Sequence, residues 1–94
     1  MKKTIVTVVG KDKVGIIASI CSFLADSSVN VCDISQTIVN GFFNMMMVVD
    51  LSSSTKSFKE LCEEGQKLGE SLGVVVQMQK EEIFDLMHRI YVNI

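Results

Sequence analysis

Apolar and polar positions in the first quarter of the chain predict a strand followed by a helix. Residues 4–9 are almost all β-branched and apolar on both faces, which is typical of a central strand. A polar turn begins at Gly10. Beyond it the apolar positions recur at helical spacing, which predicts a helix over about Gly15 to Asp26. Its apolar stripe consists of Ile16, Ile17, Ile20, Cys21 and Leu24.

A hairpin is predicted next. Asn40-Gly41 separates two runs of strand-forming residues, 29–39 and 42–51, and this dipeptide favours a tight turn between antiparallel strands. Because strand side chains alternate between faces, the second strand is expected to turn one apolar row toward the core. That row is Phe43, Met45, Met47, Val49 and Leu51.

The second half repeats the strand and helix signals in reverse order. A serine-rich loop supplies candidate caps for an amphipathic helix over about 56–72, and Gly73 is placed to end it. Gly65 and Gly69 lie on or beside its apolar stripe, which indicates close packing of this helix on a sheet. Residues 74–79 alternate as a fourth strand.

The order β, α, β, β, α, β predicts the α+β class and a ferredoxin-like fold. This fold has a four-stranded antiparallel sheet, here in the order 2-3-1-4, with both helices on one face. The remaining segment, 81–94, is interpreted as a C-terminal helical extension with a helix over about 81–89. The whole chain, 1–94, is therefore expected to form one domain.

Composition and charge exclude several classes of function. Nine basic residues stand against eleven acidic ones, with a pI near 5.2, so the positive field that nucleic acids or anionic membranes require is absent. Apolar runs are too short to span a bilayer, and a cytoplasmic location is expected. The three cysteines show no metal or disulfide spacing and are interpreted as reduced, buried thiols.

Catalytic chemistry finds little support in the sequence. His88 is the only histidine and has no identifiable partner, and the aspartates follow no metal-binding spacing. We therefore expect no enzyme activity, no metal and no cofactor. The segment from Gly10 to Ile16 is more informative, because a helix that begins at a glycine exposes backbone N–H groups to which a carboxylate can bind. The alternative is that Gly15 only permits a tight turn.

Several of these segments resemble the ACT domain family. They are the Gly-Lys-Asp-x-x-Gly-Ile run that starts at Gly10, Asn30-Val31, and the Asp-Ile-Ser-Gln-Thr run that starts at Asp33. More narrowly, the chain resembles short stand-alone ACT proteins of about 90 residues, and this resemblance covers nearly the whole chain. It implies a regulatory domain that binds an amino acid or a similar metabolite at a domain interface. The ligand-binding residues it implies are Asp12, Gly15, Ile16 and Asn30. Many ACT domains have proline before the loop glycine, and this chain has Val14.

Two functions remain open at this point. The first is a non-catalytic ligand sensor for an amino acid, acting on a regulated enzyme or regulator. The second is a protein interaction or dimerisation module without a metabolite. In either case a homodimer is expected, because Phe42, Met46 and Val48 are predicted to form an apolar surface on the sheet face opposite the helices.

Overall fold

Six elements follow one another in the computed structural model, which describes residues 2–11 and 14–82. They are β1 (Lys3–Lys11), α1 (Ile16–Asp26), β2 (Asn30–Val39), β3 (Phe42–Asp50), α2 (Phe58–Leu72) and β4 (Val74–Lys80). All strand pairs are antiparallel, in the order β2-β3-β1-β4. The ferredoxin-like βαββαβ prediction is confirmed. The predicted C-terminal helix lies outside the described residues, except for Glu81 and Glu82.

The turn between β2 and β3 has the backbone geometry that its sequence predicts. Asn40 has φ of 53° and Gly41 has φ of 79°. Positive φ at two consecutive positions matches the twist of the flanking strands, and Asn-Gly adopts it at low cost. The turn therefore fixes the register of the hairpin, in which Val39 pairs with Phe42.

Both helices pack on one face of the sheet, which we call the inner face. Met45, Met47 and Val49 of β3 are fully buried there, as their alternation predicted. Val6 and Val8 extend this surface on β1, and α1 and α2 cover it with Ile20, Leu24 and Leu61. Complete burial of such side chains contributes about 1.5 to 3 kcal/mol each. The inner face thus holds the core.

Local signals fix both ends of α2. The Ser57 side chain accepts a hydrogen bond from the Glu60 amide, and the Glu60 carboxylate accepts one from the Ser57 amide. This capping box satisfies donors that would otherwise lack partners. At the other end Gly73, with φ of 75°, closes the helix in the left-handed conformation.

The edge strand β2 is poorly covered. All ten of its residues are exposed, although three apolar ones, Val31, Ile34 and Ile38, pair with buried residues of β3 and so lie on the inner face. A bulge interrupts the pairing between Val31 and Asp33. Cys32 lies at this bulge and is exposed, so the expectation of a buried thiol is wrong for Cys32. Cys21 and Cys62 are half-buried, and burial raises the pKa of the Cys62 thiol.

Two glycines of α2 provide a test of the helix–sheet packing. A Cβ at Gly69 would lie 2.8 Å from the Val74 carbonyl oxygen, and backbone cannot move aside cheaply. A Cβ at Gly65 would meet the Met78 Cε atom at 2.9 Å, the mobile end of a flexible side chain. Gly69→Ala is therefore expected to destabilise the fold by about 1 to 3 kcal/mol, despite a gain of about 1 kcal/mol in helix propensity.

The matched control is Gly65→Ala, which gains the same propensity without a backbone clash. Urea unfolding is expected to show Gly65→Ala at least as stable as the parent and Gly69→Ala clearly less stable. Equal stability of the two variants would contradict the packing described here.

Candidate functional site

The N-terminus of α1 differs from that of α2 in having no cap. Gly15 occupies the N-cap position with φ of 91° and offers no side chain, and the first turn contains no acidic residue. At α2 the same position holds a serine and the first turn holds Glu60. The positive end of the α1 dipole is therefore not compensated by a carboxylate in the first turn of the helix.

Backbone donors at this helix end lack partners among the described residues. The first hydrogen bond of the helix runs from the Ser19 amide to the Gly15 carbonyl oxygen, at 2.9 Å. The amides of Ile16, Ile17 and Ala18 find no acceptor within residues 2–11 and 14–82. Orphan N–H groups aligned with a helix dipole can bind a carboxylate or another small anion.

The structure places the other predicted residues of the loop as follows. The Ile16 side chain is buried in the core, so this residue can contact a ligand only through its backbone. Val14 is fully exposed next to Gly15. A Cβ built on Gly15 would have no neighbour within 4 Å, so there is open space in front of the loop. Asp12 lies outside the described residues.

Asn30 lies at the opposite end of the sheet from Gly15. It begins β2 and pairs with Asp50, which in turn pairs with Lys3 at the start of β1. Gly15, in contrast, follows the end of β1, and α1 runs back between the two positions. Eleven helical residues span about 16 Å. One copy of the chain therefore does not bring Gly15 and Asn30 together.

The surroundings of Asn30 leave its amide accessible. Its Nδ2 atom makes one weak contact, 3.9 Å from Cys32 Sγ, and the residue is exposed. Neighbouring Asp50 is engaged locally: its Oδ1 atom accepts hydrogen bonds from the Ser52 hydroxyl at 2.6 Å and from the Ser52 and Lys2 amides. The Ser52 hydroxyl is the largest of the contacts that hold the pKa of Asp50 below its ordinary value.

Sequence reasoning missed the exposed edge of β2. The only signal for it was the recurrence of apolar residues at Ile34 and Ile38, which also fits a covered strand. The structure shows that Ile34 is 44% exposed and Ile38 is 59% exposed, beside backbone groups that pair with no strand in the described chain. An open edge of this kind is a template for pairing with another chain.

Two classes of site are not found in the described part of the chain. Residues 2–11 and 14–82 contain no group of three or more histidine, cysteine or acidic side chains arranged to hold a metal ion. No helix within those ranges is long and apolar enough to cross a bilayer.

The sequence profile of the ACT domain matches residues 2–79. The chain belongs to the ACT domain family. A UPF0237 protein of Bifidobacterium longum is 52% identical over 90 residues, which are 96% of this chain and 100% of that protein.

Solved structures agree with this assignment. An ACT domain protein from Streptococcus pneumoniae has a TM-score of 0.78 and 41% identity, over 88% of this chain and 93% of that one. A formyltetrahydrofolate deformylase from Pseudomonas syringae has a TM-score of 0.80 at 18% identity, over 99% of this chain and 37% of that chain. The second likeness shows the fold alone, here within a larger chain.

The conformation of Gly15 can be tested without any ligand. Gly15→Ala is expected to lower the free energy of unfolding by about 1 to 2 kcal/mol, because a Cβ disfavours positive φ. Gly15→Asn is expected to lose less, since asparagine tolerates the left-handed region. Urea unfolding of both variants makes the comparison. An equal loss would show that the backbone angle is not the cause.

Proposed function

We propose that this protein is a non-catalytic ligand sensor that binds a free amino acid between two copies of the chain. The observation that carries the proposal is the position of Gly15 and Asn30 at opposite ends of a subunit whose edge strand is open. The ACT fold is a regulatory, ligand-binding fold. A regulated enzyme or regulator in the cytoplasm is the expected target.

Pairing of two β2 strands joins the separated halves of the site. If the two edges pair antiparallel about a twofold axis, the start of one β2 lies beside the end of the other. Asn30 starts β2, while Val39 lies at the end of the sheet from which the Gly15 loop leaves β1. The α1 N-terminus of one subunit then approaches Asn30 of the partner subunit, and the dimer contains two equivalent sites.

The exposed surface of β2 favours this pairing. Backbone groups along the edge gain partners, and the inner-face side chains of Val31, Ile34 and Ile38 lose contact with water. The other edge strand, β4, has its inner face covered by α2, where Val74 and Val76 are buried. An interface through β2 therefore buries apolar surface that the single subunit leaves exposed.

The chemistry of such a site fits an amino acid. Its carboxylate would accept hydrogen bonds from the amides of Ile16, Ile17 and Ala18 at the uncapped helix end. The amide oxygen of Asn30 would accept from the ligand ammonium, and its NH₂ group would donate to a polar ligand side chain. Asp12 is proposed to hold the loop or to contact the ammonium.

The outer face of the sheet, opposite the helices, favours the second candidate function. Phe42 is 53% exposed and Met46 is 40% exposed on this face, while Val48 is half-buried. An apolar surface of this kind can bind another protein or a second copy. An interaction module that takes no metabolite would use this face.

Lysine substitutions distinguish a dimer formed through the β2 edge from one formed through the outer face of the sheet. Ile34→Lys with Ile38→Lys is expected to yield a monomer at concentrations where the parent is dimeric, because two buried ammonium groups would oppose the β2 interface. Met46→Lys serves as the control on the outer face and is expected to stay dimeric. Sedimentation equilibrium measures both. The reverse result would assign the dimer to the outer face, and a monomeric parent would contradict both arrangements.

Ligand binding is tested by calorimetry after a thermal-shift screen of the free amino acids. The ligand for this test is the amino acid that raises the unfolding temperature in the screen. Asn30→Ala is expected to weaken its binding free energy by about 1 to 3 kcal/mol, because a polar group of the ligand loses its partner. Asn44→Ala, the same change at an exposed residue of β3, is the matched control. Gly15→Val is expected to weaken binding further, since its side chain would enter the open space before the donors.

Equal affinity in Asn30→Ala and Asn44→Ala would place the site elsewhere. No thermal shift with any amino acid would favour the interaction module.

A further inference from the structure

A second candidate binding site lies at the end of the sheet where β1 begins and β4 ends. A cleft of about 860 Å³ opens there against the first turn of α2. Small-molecule sites have volumes of about 300 to 1,000 Å³, so the cleft is large enough for a metabolite. Asn30 lies at the same end of the sheet, where it pairs with Asp50 and Asp50 pairs with Lys3, but it does not line the cleft. The residues proposed to bind the amino acid and the residues that line the cleft are therefore different.

Positive charge is concentrated in this cleft. Four of the nine basic residues of the chain line it: Lys2, Lys3, Lys56 and Lys80. The chain as a whole has a net charge of −2, so this cluster runs against the overall balance. Lysines that line one cleft raise the local concentration of anions there.

Three of these lysines have no carboxylate partner in the described chain. Lys56 Nζ is paired with Glu64 at 2.6 Å, and this is the one ion pair among residues 2–11 and 14–82. Glu81 and Glu82 also line the cleft but form no ion pair with Lys2, Lys3 or Lys80. The Oδ1 atom of neighbouring Asp50 accepts hydrogen bonds from two amides and from the Ser52 hydroxyl.

The three serine hydroxyls around the cleft are already used. Ser57 and Glu60 cap α2, the Ser54 hydroxyl donates to the Lys56 carbonyl oxygen at 2.8 Å, and the Ser52 hydroxyl donates to Asp50. Recognition of an anion is therefore assigned mainly to the lysine side chains, which bind phosphate as point charges. Leu51 and Phe58 supply apolar lining, and Lys80 Nζ lies 5.5 Å from the centre of the Phe58 ring.

We propose that this cleft binds a small phosphorylated metabolite. Lys2, Lys3 and Lys80 hold the phosphate, and the organic part of the molecule packs on Leu51 and Phe58. The site is independent of the amino-acid site proposed above, so one chain would respond to two kinds of small molecule.

Titration of the ¹⁵N-labelled protein tests the proposal, with AMP, adenosine and inorganic phosphate as probes. AMP is expected to shift the amide resonances of cleft residues saturably and to bind more tightly than either fragment. Adenosine that binds as tightly as AMP would overturn phosphate recognition. Inorganic phosphate that binds as tightly as AMP would overturn the role of the organic part, and no saturable shift with AMP would overturn the site.

Substitution separates the cleft from general charge effects. Lys3→Gln and Lys80→Gln are each expected to lower AMP affinity about tenfold through loss of a charge-assisted hydrogen bond. Lys59→Gln removes the same charge from an exposed position of α2 that does not line the cleft. It is expected to leave AMP affinity unchanged, and an equal loss in Lys59→Gln would overturn the proposal.

Two further measurements distinguish binding in the cleft from binding at the proposed amino-acid site. Thermal unfolding of each variant tests whether the fold is retained. If Lys80→Gln is destabilised because Lys80 no longer contacts the Phe58 ring, Lys3→Gln still tests the cleft. The response of Lys80→Gln to amino acids is expected to equal that of the parent. If the protein responds to an amino acid but does not bind AMP, only the cleft proposal is overturned. If it binds AMP but responds to no amino acid, only the amino-acid sensor is overturned.

Discussion

The antiparallel register of β1 with its two neighbours decides where every loop of this protein lies. Lys3 pairs with Asp50 at one end, and Lys11 pairs with Phe42 at the other. Because β1 lies between β3 and β4, its hydrogen bonds hold the two halves of the chain together. Its valines at 6 and 8, completely buried, anchor the core under both helices. A slip of one residue would turn these valines to the outer face and remove the core.

The same register separates the start of α1 from the lysine-lined cleft. The uncapped start of α1 lies beyond the end of β1, whereas the lysine-lined cleft lies at its beginning. The two helix N-termini therefore differ. At α2 the capping box engages the Ser57 and Glu60 amides. At α1 no side chain caps the helix, and the amides of residues 16–18 find no acceptor within residues 2–11 and 14–82, which is the basis of the proposed carboxylate site.

Edge strand β2 links stability to function in the proposed dimer. An exposed strand with apolar side chains on its inner face is costly for a lone subunit of 94 residues, since a small domain has little buried surface to spare. Pairing with a second copy would remove that cost and complete the ligand site in one step. Ligand binding and association would then be coupled, because the ligand contacts both subunits and so favours the paired state.

Local patterns in the sequence determined most of the fold. Asn40-Gly41, the serine before α2 and Gly73 act through their own backbone angles or through residues three positions away, so their effects can be read without a tertiary structure. Alternation along β3 likewise identified the buried row, because strand side chains have a fixed period of two. The candidate residues Gly15 and Asn30 also came from the sequence, through resemblance to a family.

What only the tertiary structure decided is which of these residues can meet. Gly15 and Asn30 are fifteen positions apart in the sequence, and only strand pairing places them at opposite ends of the sheet. Exposure of β2 and of Cys32 depends on which elements α1 and α2 cover, and no local pattern specifies that. The lysine cleft joins residues from both ends of the described chain, Lys2 and Lys80, so it exists only after β1 and β4 have paired.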